Sequence, residues 1–469
     1  SIFAVIAYLK ETGDLSILDE IAPYADDPQI SDTIYHHLVK AIEYSYAQLG
    51  LYGIPKLLRA DWNDAFQRLY KGRFAKGYTA GNLDKRLAES NAESVMVGCM
   101  LVKMAKDMLE ITERSGRENL MFSERNSKYI DRLNEIIDTV SENINEHFWD
   151  EEGGYYKAGT DDDGNFYGTS QDTEGKIYLL PQAWAVISGV AEGARKQRCM
   201  EAVVRELFHN NGLVLLSPPY IDTEPPVGNL KYYLPFFKEH GSCFEHAAAM
   251  AITALFTAGF TEEAYKAMKA NLPPAASRYY PSQYKTAPYV WPQVINGEEG
   301  EFGAGGDWLT GTAAWSNMYI QQYLLGIRPE YDGLRIDPNI PKTWEGFKIR
   351  RNFRGTTYEI DIENPYGASQ GIGSVVITEI DGEKVNINIK GSVIPRELVK
   401  EKKAVKVEVV MKDPAQQGVN TEDELKTAEE FRQEMLQEGG VYPPGINVIS
   451  ITEKLKINME AISNIAQGA

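Results

Sequence analysis

The densest cluster of chemistry-bearing side chains in the sequence is Arg59-Ala60-Asp61-Trp62-Asn63-Asp64. Two carboxylates flank an indole and an amide. A carboxylic acid beside an indole is partly desolvated, which raises its pKa toward the range of a general acid. The indole also offers a flat platform for a sugar ring. The same residues suit a helix-capping Asp beside a core Trp, so the hexapeptide alone leaves both readings open. Pyranose chemistry ordinarily needs a second carboxylate as base or nucleophile. Asp161, Asp162, Asp163, Glu239 and Glu245 are candidates, and spacing selects none of them.

Other clusters are less telling. Asp161-Asp162-Asp163-Gly164-Asn165 begins like a calcium loop, but its sixth place is Phe166 and its twelfth is Asp172. It is not an EF-hand. His240 and His246 are six residues apart, which is not the two-histidine zinc spacing of a metalloprotease helix. His246 stands at the start of an apolar helical stretch, where an imidazole can help to hold an anion. Gly303-Ala304-Gly305-Gly306-Asp307-Trp308-Leu309-Thr310-Gly311-Thr312 is Gly-rich and leads into a helix. Its N–H groups and threonine hydroxyls can form an anion nest. It lacks the Lys of a P-loop, so no nucleotide is implied.

The elements that must position these residues are mainly helical up to about Leu325. Ala92–Ile111 is apolar nearly all round, the pattern of a helix buried on both sides. Further helical stretches fall near Asp32–Leu49, Lys128–Phe148, Pro181–Ala191, Lys196–Phe208, Glu245–Phe260, Glu262–Ala270 and Trp308–Leu325. No strands alternate with them, which excludes a doubly wound α/β sheet. The long connecting loops are rich in Gly, Pro, Asp and aromatics, and are expected to converge on one end of the scaffold. After Leu334 the period changes to two. Tyr358, Ile360 and Ile362 alternate with Glu359, Asp361 and Glu363, and Val405, Val407 and Val409 with Lys406 and Glu408. These are read as half-buried antiparallel strands. The expected organisation is a helical domain over 1–333, a β-domain over 334–412 and a polar extension over 413–469. In that extension Thr421 and Glu424 would cap a short helix carrying Leu425, Ala428, Phe431 and Met435.

The chain has 469 residues, long enough for two domains, and is 43% hydrophobic, so disorder is not the default. Its net charge of −19 argues against nucleic acid as a partner. No run of eighteen apolar residues exists, so no membrane span is expected. The first ten residues have a short apolar stretch with no basic region ahead of it, unlike a signal peptide. Cys99, Cys199 and Cys243 are scattered, so neither a disulfide framework nor a structural zinc site is expected, and a reducing cytoplasm fits best.

Several motifs occur together and in order. They are Asp61-Trp62-Asn63-Asp64, then Glu174-Gly175-Lys176-Ile177 with Pro181-Gln182-Ala183-Trp184-Ala185, then Trp308-Leu309-Thr310-Gly311-Thr312-Ala313-Ala314-Trp315. Gly326-Ile327-Arg328-Pro329, Tyr331-Asp332-Gly333-Leu334 and Ile340-Pro341-Lys342-Thr343-Trp344 follow. Over residues 1 to about 411 the sequence resembles the inverting disaccharide phosphorylases, the cellobiose and chitobiose phosphorylase family.

The resemblance implies an (α/α)6 barrel followed by a small antiparallel β-sandwich. It implies that inorganic phosphate attacks the anomeric carbon of a β-linked gluco-oligosaccharide, releasing an α-sugar 1-phosphate. Phosphate is itself the nucleophile, so one carboxylic acid suffices. By resemblance Asp64 is that acid, and Asp61, Trp62 and Gln293 bind substrate. His246, Thr310, Gly311 and Thr312 hold phosphate. No metal and no cofactor beyond the phosphate co-substrate are expected.

The family's Glu-Asn-Gly-Gly is replaced here by Glu239-His240-Gly241-Ser242, which bears on the acceptor sugar. The chain also begins about where a family donor-binding segment should just have ended. The expectation is an N-terminally incomplete barrel that forms a homodimer or associates with an N-terminal segment. The competing readings are an inverting glycoside hydrolase, with a carboxylate base about 6.5–9.5 Å from Asp64, and a non-catalytic sugar-binding fragment.

Overall fold

The computed structural model describes residues 2–25, 27–58, 90–117, 121–122, 127–223, 230, 233–273, 284, 286–298, 303–306 and 308–413. Asp61, Trp62 and Asp64 lie outside the described residues, as does the helix expected after Thr421.

The helical part is built in two layers. Helices α1 (Ile2–Thr12) and α2 (Ile34–Tyr46) come first, followed by α3 (Val95–Arg114) and α4 (Tyr129–His147). Next come α5 (Leu179–Ser188), α6 (Gly193–Leu207), α7 (Glu245–Ala258) and α8 (Thr261–Asn271). Helix α9 (Thr312–Met318) continues into a π-helical turn over Tyr319–Leu324. Helices α3, α5 and α7 are the inner layer: α3 packs on α5, α5 on α7, and α7 on α9. Their burial extends nearly all round, as in α7, where Ala247–Phe256 is continuously buried. Each inner helix is backed by the outer one that follows it in sequence: α4 on α3, α6 on α5 and α8 on α7. The outer helices are one-sided. In α4 the buried residues Leu133, Ile136, Val140 and Ile144 recur at helical spacing.

Local chemistry sets the ends. Ser94 accepts the N–H of Val97 at 3.4 Å and starts α3 three residues later than the apolar run suggests. Gly259 takes the left-handed conformation (φ 88°) that closes α7. Helix α9 starts at Thr312 rather than Trp308, because Thr310 Oγ1 accepts the Thr312 N–H at 3.2 Å. Trp308 itself is left-handed (φ 67°) and exposed. Helix α1, to which the periodicity reading assigned no helix, buries Ile2, Ile6 and Leu9 on one face.

Three short strands frame the head of α7: β1 (Cys243–Phe244), β2 (Val294–Ile295) and β3 (Ala304–Gly305), paired antiparallel in that order. Strands dominate from Ile327. A three-stranded sheet of β4 (Ile327–Glu330), β5 (Gly333–Ile336) and β10 (Val393–Pro395) lies in the order β4-β5-β10. A five-stranded sheet contains β6 (Gly346–Phe353), β7 (Thr356–Glu363), β8 (Ile372–Ile380), β9 (Glu383–Asn388) and β11 (Ala404–Met411). Its order is β6-β7-β11-β8-β9.

The alternation read in 358–363 and 405–409 matches the burial: Tyr358, Ile360, Ile362, Val405, Val407 and Val409 face the core. The expectation of purely antiparallel strands is corrected. Strands β7 and β11 pair in parallel, Ile360 opposite Val407. The side-chain period is two in either direction, so alternation carries no information about strand polarity.

The sheets are tied to the helices by polar contacts. Arg354 donates from Nη2 to the carbonyls of Lys10 (2.7 Å) and Glu330 (3.0 Å), joining the C-terminal end of α1 to β4. Arg351 Nη2 reaches both carboxylate oxygens of Glu11 at 2.6 Å.

Candidate active site

The inner helices direct an aromatic chain toward the head of α7. Phe3 of α1 stacks on Trp184 of α5 (ring centroids 5.7 Å apart), Trp184 meets Trp315 of α9 edge-on (6.1 Å), and Trp315 lies 6.2 Å from His246. Trp184 and Trp315 belong to the ordered motifs, but residue type alone gave them no role.

His246 occupies the first turn of α7. It sits against the turn that precedes α9: a Cβ built on Gly311 would fall 2.9 Å from its Cε1 and 3.2 Å from its Nε2. Only glycine permits that approach. The hydroxyls of Thr310 and Thr312 bond each other beside it. The structure therefore brings His246 together with Thr310, Gly311 and Thr312, although 64 or more residues separate them in sequence. Burial pushes the imidazole pKa down to about 4, so the ring is neutral at physiological pH.

Gln293 joins the same neighbourhood through the backbone. Its carbonyl accepts the Glu245 N–H (3.0 Å), and its N–H donates to the carbonyls of Gly305 (3.0 Å) and Gly306 (2.9 Å). Its side chain lies over Gly306, where a Cβ would come within 2.7 Å of the Gln293 Cβ. Three of the expected segments thus meet at one place: the head of α7, the strand start at 293 and the turn over 308–312, with Gly306 beside Gln293.

The remaining acidic candidates resolve differently. Asp161 accepts the N–H groups of Asp163 (3.0 Å) and Asn165 (2.8 Å), so its own turn occupies it. Asp162 Oδ1 accepts from Ser90 Oγ (2.6 Å) and the Asn91 N–H (2.8 Å), pinning the chain where it re-enters α3. His240 accepts the Tyr220 N–H at Nε2 (2.9 Å) and therefore donates from Nδ1 to the Tyr233 carbonyl (3.0 Å). It is a satisfied core histidine. Glu245 is buried beside His246, and burial raises its carboxyl pKa well above the usual range.

Sequence reasoning missed Glu93. It is fully buried and accepts the N–H groups of Tyr52 (3.0 Å) and Ile54 (3.2 Å), with Thr160 Oγ1 at 3.4 Å. It clamps the turn that leads toward Arg59–Asp64. The available signal was a carboxylate between Ala92 and the head of an apolar helix. Among the described residues no group of His, Cys, Asp and Glu is placed to hold a metal ion, and no helix is long and apolar enough to cross a membrane.

A family model described as the glycosyl hydrolase 94 superfamily catalytic domain matches residues 1–326, and one for the glycosyl hydrolase family 65 C-terminal domain matches 327–394. Relatives include an N,N'-diacetylchitobiose phosphorylase from Vibrio furnissii, 31% identical over 83% of this chain and 45% of that protein. A solabiose phosphorylase from Paenibacillus borealis is 33% identical over 83% of this chain and 46% of that protein. A cellobionic acid phosphorylase from Neurospora crassa is 26% identical over 76% and 42%. The chain therefore spans less than half the length of these relatives. Among solved structures, a sialidase superposes with a TM-score of 0.52 at 14% identity, over 76% of this chain and 29% of that one. That likeness concerns the fold.

Proposed function

Given that the chain belongs to the glycosyl hydrolase 94 superfamily through its catalytic domain, we propose that it carries the reacting centre of an inverting phosphorylase of β-linked gluco-disaccharides. The observation that carries this reading is the contact between His246 and Gly311. It joins an imidazole to a hydroxyl-bearing turn, a set of neutral donors suited to an oxyanion. The phosphorylase names of several relatives support the same reaction class.

Phosphate held by His246 and the Thr310–Gly311–Thr312 turn would approach the anomeric carbon from the face opposite the leaving sugar. Asp64 would protonate the glycosidic oxygen as the bond breaks, and inversion of a β-linkage gives an α-sugar 1-phosphate. Asp61, Trp62 and Gln293 would bind the sugar. A buried, neutral imidazole suits this role, since it orients the phosphate without neutralising the attacking oxygen. The layered helices fit an (α/α)6 barrel, and the two C-terminal sheets fit a β-sandwich. Phosphate is a co-substrate, no cofactor enters this reading, and the cytoplasm suits three free buried thiols.

The test is to incubate the protein with cellobiose, N,N'-diacetylchitobiose and solabiose, each with and without phosphate. Sugar 1-phosphate formed only with phosphate supports the proposal. Free monosaccharide formed without phosphate identifies a hydrolase instead. Binding of a disaccharide with no turnover identifies a sugar-binding part instead.

A further inference from the structure

The buried carboxyl next to His246 has no part in the reaction just described. Glu245 is 1% exposed, and Asn271 at the end of α8 holds it. The Asn271 side-chain amide donates from Nδ2 both to the Glu245 carbonyl (3.2 Å) and to Glu245 Oε2. Its Oδ1 accepts from two hydroxyls of the helix that begins at Thr312: Ser316 Oγ (3.4 Å) and Tyr319 OH (3.3 Å). The Asn271 carbonyl accepts the Trp291 indole N–H at 2.8 Å, just ahead of Gln293. Asn271, Ser316 and Tyr319 are all buried. The Asn271 side-chain amide thus bonds to α7 and to the π-extended α9, and its main-chain carbonyl to the strand start that carries Gln293.

We propose that Glu245 is a positioning residue of the phosphate site: through Asn271 it locks the first turn of α7 to α9 and so fixes His246 against Gly311. The inference rests on reading His246 and the 310–312 turn as that site. The geometry is direct. Glu245 and His246 are consecutive, and Ser316 lies one helical turn beyond Thr312. The two ends of the network are therefore each within one turn of the two halves of the site. An apolar side chain would fill the same space without the cost of burying a carboxyl. What the polar network adds is a fixed register between helices, since each donor and acceptor has one matching arrangement. Burial raises the carboxyl pKa well above the usual range, and Gln keeps the length of the side chain and an oxygen to accept from the Asn271 amide.

The test is calorimetric titration of the full chain with inorganic phosphate, in wild type, Glu245→Gln, Glu245→Ala and Tyr319→Phe. Glu245→Gln should bind within about twofold of wild type, Glu245→Ala about tenfold more weakly, and Tyr319→Phe about threefold more weakly, all with unchanged circular dichroism. Wild-type affinity in both Glu245→Ala and Tyr319→Phe overturns the proposal, as does a loss in Glu245→Gln equal to that in Glu245→Ala. If Glu245→Ala does not fold, Tyr319→Phe decides alone: weaker binding supports the lock and unchanged binding overturns it. If wild type binds no phosphate, the phosphate-site reading fails, and the lock is read from the His246 imidazole NMR resonances. Resonances that move in Glu245→Ala and Tyr319→Phe but stay in place in Glu245→Gln support it; resonances that stay in place in all three variants overturn it.

Discussion

Gly311 lies so close to the imidazole of His246 that a Cβ at this position would approach Cε1 to 2.9 Å and Nδ1 to 3.3 Å. The backbone there has φ −84°, which any residue adopts, so contact rather than strain requires the glycine. Gly311→Ala should displace the ring and weaken phosphate binding by about tenfold, the cost of overpacking a tight contact. The folded structure should survive. Phosphate titration together with thermal melting checks this; unchanged affinity would show that His246 and the turn do not act together.

His246 should also leave a mark on acid stability. The unfolded imidazole titrates near 6.5 and the folded one near 4, lowered by burial. Between those values the unfolded chain binds a proton that the folded chain does not. Stability therefore rises with pH across that window and is lost as pH falls from about 6.5 toward 4. Glutamine at the position removes this term. Urea unfolding midpoints at pH 7 and pH 5 should separate more in wild type than in His246→Gln. Equal separation would place the native pKa near the ordinary value.

Glu93 holds the turn before the Arg59–Asp64 segment by accepting two backbone N–H groups in a buried setting. Glu93→Ala leaves both donors without that acceptor and should cost about 2–3 kcal/mol of unfolding free energy. Glu93→Gln keeps an acceptor and should cost less. Denaturant titration of both variants checks the order; equal losses would mean that one amide oxygen cannot stand in for the two carboxylate oxygens.

Asp64, assigned from its motif, should be indispensable to turnover and dispensable to folding. Asp64→Asn should lower phosphorolysis by about 10²–10⁴-fold, the usual contribution of a general acid, with circular dichroism unchanged. Near-wild-type turnover would remove Asp64 from the reaction.

The parts of this architecture that were legible in the sequence are those with a strong period or a local motif. Helices α3, α4 and α7 follow from their apolar spacing, and the faces of β7 and β11 from their alternation. Strand polarity was not legible, because Tyr358 and Val405 alternate identically whether their strands run together or opposed. The start of α9 was misplaced by four residues, since the bond from Thr312 to Thr310 outweighs the apolar pair Trp308-Leu309. In the site, the family resemblance implied that His246 and Gly311 belong together, and spacing alone could not, because their contact spans distant segments. Glu245 stood among equivalent acidic candidates. What distinguishes it is burial against Asn271, a property of packing that residue type does not reveal.

The most direct measurement is a crystal structure of the protein with inorganic phosphate. The account predicts phosphate between His246 and the 310–312 turn, accepting from the imidazole and from the backbone or hydroxyl groups of Gly311 and Thr312. A structure in which phosphate binds elsewhere, with His246 and Gly311 still in contact and the space beside them empty, would contradict it.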